Sequence, residues 1–143
     1  MDKVDKVKAA YLFNFTKFIN WSESHTHLTS LTFCLQTDPQ FLSFFSEIAQ
    51  NRPVGSEQIV ISAVHLSQAT KCDLVYITEP IANNSLDLTN TVTIQNEGRQ
   101  YLPSAVFLLF ERKNKLRFEI DLKEARRLNV NISSELLKLA KTR

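Results

Sequence analysis

From residue 105 to residue 122 the chain spells out a β-hairpin. Ala105 to Phe110 is an uninterrupted apolar run, Glu111 closes it, and Lys113-Asn114 stands where a tight turn is needed. Leu116, Phe118, Ile120 and Leu122 then alternate without error with Arg117, Glu119 and Asp121. Alternation of period two puts the apolar side chains on one strand face and the charged ones on the other. The unbroken run before it marks a strand buried on both faces. Two such strands across a two-residue turn form an antiparallel pair. A sheet buried this way needs further layers, so the rest of the chain must supply them.

Residues 3–20 supply a covering helix. Val4, Val7, Tyr11, Phe15 and Phe18 recur at helical steps, and Ala10, Phe13 and Ile19 widen the stripe until Trp21 closes it. A polar loop over 22–30 leads to an apolar strand at Leu31 to Gln36. Asp38-Pro39 then pairs an N-cap with a proline at the first helical position. The helix it opens carries Phe41, Leu42, Phe44, Phe45 and Ile48, and should stop near Asn51, ahead of Arg52-Pro53. Gly55 marks a turn. Strands follow at Ile59–Val64, Asp73–Thr78 and Thr91–Ile94, with one helical turn capped by Ser67 after the first of them. Residues 83–90 are polar and turn-rich, and Gln95 to Pro103 reads as irregular, with a turn at Gly98. Beyond the hairpin, Asp121 can cap a helix through Leu128, and a last helix begins at Ser133 or Ser134 with Leu136, Leu137 and Ala140 on its apolar face. The order predicts one α/β domain over residues 1–143. Its mixed sheet of about five to six strands is flanked by helices, with the C-terminal hairpin followed by helices.

A chain of 143 residues buries enough surface to fold without a metal or disulfide. Its net charge of +2 is too small for a nucleic-acid footprint. The basic residues near the end (Arg126, Arg127, Lys138, Lys141, Arg143) read as solvated helix faces. No apolar run approaches the ~18 residues of a transmembrane helix. Met1-Asp2-Lys3 is followed by no apolar signal region, so export would require that a signal peptide has been removed.

Reactive chemistry is hard to find. With glycine only at 55 and 98 there is no phosphate-cradling loop and no dinucleotide fingerprint. His25 and His27 could hold a metal only with a third ligand from elsewhere, and read as a solvated loop. His65 reads as a hydrogen-bonded residue at a strand end. Glu119 and Asp121 share a strand face roughly 7 Å apart, close enough for acid–base work, but Arg117 and its basic neighbours should pair with them. Cys34, mid-strand, and Cys72, just before a strand, match no metal or redox spacing. They are two buried thiols or, if adjacent strands bring their Cα atoms within about 6 Å, a bonded pair. These residues predict a protein that is not an enzyme and has no cofactor.

Four blocks together resemble the YfiR family. They are KAAYLFNFTKFINW (8–21), LTFCLQTDPQF (31–41), CDLVYIT (72–78) and LRFEIDLKEARRLNVNISSELLKLAK (116–141). They run in order along nearly the whole chain. The resemblance implies a mixed α/β fold and an exported, periplasmic protein. It implies a repressor that restrains an inner-membrane diguanylate cyclase, the maker of cyclic di-GMP, until an outer-membrane lipoprotein sequesters it. It also implies that Cys34 and Cys72 are disulfide-bonded, as an oxidising compartment permits. Pro103-Ser104 departs from the pattern, standing where the family carries Gly-Gly, and a second cysteine pair of some relatives is missing.

A non-catalytic regulator works through its surface. The C-terminal helix is the expected partner surface: Leu139 is left over once Leu136 and Leu137 face the core, among Glu135, Lys138 and Lys141. A homodimer is also expected, since two-fold pairs are the commonest oligomers. The alternative is a small-molecule sensory domain, free or part of a larger receptor, with surplus Phe, Tyr11 and Trp21 walling a pocket.

Overall fold

The computed structural model describes residues 1–21, 29–55, 57–82 and 86–142. Helix α1 (Lys3–Phe18) runs into a two-residue strand β1 (Ile19–Asn20). Strand β2 (Ser30–Gln36), helix α2 (Pro39–Ala49) and strand β3 (Val60–His65) form the first crossover unit, and a 3-10 turn (Leu66–Gln68) leads to β4 (Leu74–Ile77). Then come β5 (Val92–Asn96), β6 (Phe107–Arg112), β7 (Lys115–Ile120), α3 (Leu122–Arg127), β8 (Asn131–Ile132), α4 (Ser134–Leu137) and β9 (Lys141–Thr142).

The main sheet has the order β3-β2-β4-β5-β6-β7-β9. Strands β3 to β6 are parallel neighbours, β7 runs antiparallel to β6, and β9 runs parallel to β7. The expected mixed sheet is therefore present. Its six longer strands are joined by a two-residue seventh that the sequence reading placed in a helix.

Alternation sorts the two faces. Leu31, Phe33 and Leu35 of β2, Leu74 and Tyr76 of β4, Val92 and Ile94 of β5, and Phe107 and Leu109 of β6 join one core with residues of all four α-helices. Cys34, Val75 and Ile77 point the other way, under Leu66 of the 3-10 turn and loop residues such as Ile81, Leu86, Leu88 and Leu102. The α-helices thus pack into one core, and a 3-10 turn with loops covers the second face. This is less symmetric than "flanked by helices" suggests.

The helix starts follow their caps. Asp2 accepts from Asp5 N at 2.9 Å, Asp38 from Phe41 N at 2.9 Å, and Asp121 from Glu124 N at 3.2 Å. The 3-10 turn is capped by His65, whose Nδ1 accepts from Ser67 N at 3.2 Å, rather than by Ser67 itself. The hairpin turn places Lys113 and Asn114 at φ 52° and 62°, the paired left-handed conformation whose twist suits a two-residue hairpin.

Cys34 and Cys72 are joined, with S–S 1.99 Å and Cα–Cα 5.7 Å. Cys34 is the register partner of Val75, so Cys72 lies a short diagonal away, just before β4. The bond ties the middle of the sheet to the loop that enters its neighbouring strand.

Candidate functional site

The chain's surface chemistry gathers where α1, β7 and the C-terminal segment meet. Tyr11 packs edge-on against Phe118 with centroids 5.9 Å apart, and its hydroxyl donates to Leu116 O at 3.0 Å. Phe15 stacks on Phe107 at 4.2 Å and tilts against Phe118 at 5.0 Å. Contacts of this kind add about 0.5–1.5 kcal/mol each beyond burial, so α1 is held firmly on the hairpin.

The C-terminal segment is pinned from two sides. Strand β8 pairs with β1, Ile19 opposite Ile132, and Ser133 N donates to Phe18 O at 2.8 Å. At the other end β9 joins β7, Lys141 in register with Glu119. Between these anchors α4 is a single turn, capped by Ser133, far shorter than the amphipathic helix expected from SSELLKLAK. The helix stops because Lys141 enters the sheet.

Leu136 is buried under this turn, but Leu139 is 69% exposed. It stands at the lip of a groove of about 350 Å³ whose floor includes Phe15, Phe18, Leu116 and Phe118 and whose rim includes Lys115 and Arg117. Glu135, Lys138 and Lys141 are all exposed beside it. The four residues singled out from the sequence thus share one exposed stretch. Of the aromatic residues expected to wall a pocket, Tyr11 and several phenylalanines line this groove, Trp21 lines a different cavity, and the β7 residues reach the groove only through long-range pairing.

The other candidates fall elsewhere. His25 and His27 lie outside the described residues. His65 sits at a strand end, its Nδ1 2.8 Å from Ser67 Oγ. Asp121 is engaged as the α3 cap, and Glu119 is the register partner of Lys141 in the ladder. Among the described residues, no three His, Cys, Asp or Glu side chains are grouped to hold a metal.

Pro103-Ser104 has a definite role in a loop pinned by buried Gln95. The Gln95 amide donates to Leu102 O at 3.2 Å and Ser104 O at 3.1 Å, and accepts from Tyr101 N at 2.6 Å and Leu102 N at 3.0 Å. Ser104 Oγ donates to Glu124 Oε1 at 3.0 Å. Arg127 grips Glu124 with two bonds, at 2.9 and 3.1 Å, so one member of the supposed basic cluster is paired. That guanidinium, helped by Ser104, holds the Glu124 carboxyl below its ordinary range despite some desolvation.

The family model described as YfiR/HmsC-like matches residues 5–141. The chain belongs to the YfiR/HmsC-like family. No curated protein matches it. The YfiR-like family is periplasmic, non-catalytic and regulatory, acting in cyclic di-GMP signalling. A regulatory partner follows from membership. Among the described residues, no helix is long and apolar enough to cross a membrane.

Proposed function

We propose that this chain represses an inner-membrane diguanylate cyclase by binding its periplasmic domain, and that an outer-membrane lipoprotein relieves the repression by competing for the chain. The observation that carries the surface assignment is Leu139, a large apolar side chain left 69% exposed at the mouth of an aromatic-floored groove. Isolated exposed leucines are ordinary, but one beside a preformed apolar groove has the anatomy of an interface anchor. Lys115 and Arg117 give the groove a polar rim, and Glu135, Lys138 and Lys141 are exposed on the same C-terminal segment as Leu139. A protein without catalytic groups can only shift its partner's equilibrium by binding one state better than the other. A differential affinity of about 100-fold, or about 2.7 kcal/mol, suffices to turn a balanced cyclase almost fully off.

The test is made in cells carrying the native cyclase. Loss of this chain should raise cyclic di-GMP, and expression of the exported wild type should restore the low level. Leu139→Asp should fold and export normally yet fail to restore it, since an interface anchor contributes about 2 kcal/mol or more. If cyclic di-GMP ignores the presence of the chain, the proposal is wrong. If Leu139→Asp represses as well as the wild type, the surface assignment is wrong.

A further inference from the structure

In an open sheet of parallel strands, ligands bind beyond the carboxyl ends of the strands, where successive connections leave in opposite directions. The main sheet has such a point between β2 and β4. From β2 the chain crosses to β3 on one side, and from β4 it crosses to β5 on the other. A cavity of about 430 Å³ lies there, within the range of small-molecule sites. Asp38 follows β2, Glu79 follows β4 and Glu97 follows β5, and all three line it. Its buried wall is formed by Phe41 and Tyr76, 5% and 1% exposed, with ring centroids 5.5 Å apart. It shares no residue with the groove beside Leu139.

The usual occupant of such a crevice is an anion on the amides of the following helix. Here that place is taken. Pro39 has no N–H, and the Phe41 amide donates to the Asp38 carboxylate at 2.9 Å. Charge opposes an anion as well. Asp5, from the first turn of α1, joins the three acids around the cavity, against Lys8 and Arg99. Among the described residues Glu97 pairs with Arg112, and no lysine or arginine pairs with Asp5, Asp38 or Glu79. Burial, with Asp2 and Asp38 nearby, raises the Asp5 carboxyl above its ordinary range, a cost that a bound cation relieves. A metal ion does not fit, because among the described residues no three His, Cys, Asp or Glu side chains are grouped to hold one.

We propose that this crevice binds a linear polyamine, its separated ammonium groups on Asp5, Asp38 and Glu79 and its methylenes against Phe41 and Tyr76. Ammonium groups held apart by short alkyl chains match carboxylates spread around a cavity, and aromatic rings attract cations as well as apolar carbon. The carboxylates come from α1, the α2 cap and the loop after β4, so a bound polyamine ties α1 to the strand ends. This inference is independent of the repressor reading, and its test reads binding alone.

The test is isothermal titration calorimetry of spermidine into the oxidised protein, with 3-phenylpropionate and magnesium chloride as comparisons. Spermidine should bind once per chain with a Kd of about 100 µM or tighter, and phenylpropionate should not bind. Asp5→Asn with Glu79→Gln should weaken spermidine at least about ten-fold with an unchanged circular dichroism spectrum, since neither residue caps a helix. Glu79→Gln alone, in a loop, should weaken it about three-fold. Glu47→Gln with Glu57→Gln removes the same charge from exposed positions outside the cavity, and should leave the Kd unchanged. Absence of binding at about 1 mM spermidine overturns the inference. So does a spermidine complex that equimolar magnesium displaces, one that the outside pair weakens as much as the cavity pair, or equal binding of phenylpropionate.

Discussion

Two buried polar side chains make the sharpest residue-scale predictions. Tyr76 is buried in the strand layer with its hydroxyl bonded to the Asn96 amide, and burial pushes its phenol up to about 12. Of the three tyrosines, one should therefore ionise well after the usual value in an ultraviolet phenolate titration, and Tyr76→Phe should remove that late step. The raised value means that Tyr76 contributes stability in full below pH ~10, a contribution lost as pH rises from there through about 12. Glu124 works in the opposite sense. Its carboxyl is lowered by Arg127, so its contribution is present above the ordinary carboxylate range and disappears as pH falls through the lowered value. Gln95→Ala should cost about 3 kcal/mol in a urea melt, because it strands the amides of Tyr101 and Leu102 at once. None of this was legible in the sequence. Gln95 looks like a loop glutamine until the strand is seen to extend through Asn96 and turn its side chain under the 101–104 loop.

At the scale of elements the reading was much fuller, because local chemistry decides most of them. Caps at Asp38 and Asp121, the alternation of β7 and the apolar run of β6 need no tertiary information. The Lys113-Asn114 turn is legible by position but is not the best sequence for its geometry, since both residues hold positive φ. Lys113→Asn with Asn114→Gly should raise stability by about 1 kcal/mol in thermal melts, and a loss would contradict the turn assignment. The cysteine pair is a different case. The residues alone left thiols and disulfide both standing, and the pairing was implied by the family resemblance. A bond closing a 38-residue separation contributes about 4 kcal/mol in the chain-entropy model. Cys34→Ala with Cys72→Ala should lose roughly that amount, while dithiothreitol should lower the melting temperature of the wild type only. The element misread was the C-terminal helix. Residues 134–141 have helical periodicity, but pairing of Lys141 with Glu119 is a long-range event that propensity does not contain, and it wins over the last turns.

For the whole molecule, division of labour follows from the topology. One side of the sheet is sealed by basic residues and carries the groove beside Leu139, whereas the other ends in an uncharged edge. The fold class could be read in advance because strands alternate with helices over most of the chain. The partner surface was legible only in part. Leu139 was left over by counting helix faces, but the groove it borders exists only once α1, β7 and the α4 segment are assembled. The central claim is that this chain acts by contact, through that groove, on a membrane enzyme. Site-specific photo-crosslinking from position 139 in living cells tests it most directly, with a probe at position 60 as the comparison. The account predicts a 139-dependent adduct with the periplasmic part of a diguanylate cyclase, lost when the releasing lipoprotein is overproduced. A cyclase adduct formed from position 60 but not from 139, or no cyclase adduct from either, would contradict it.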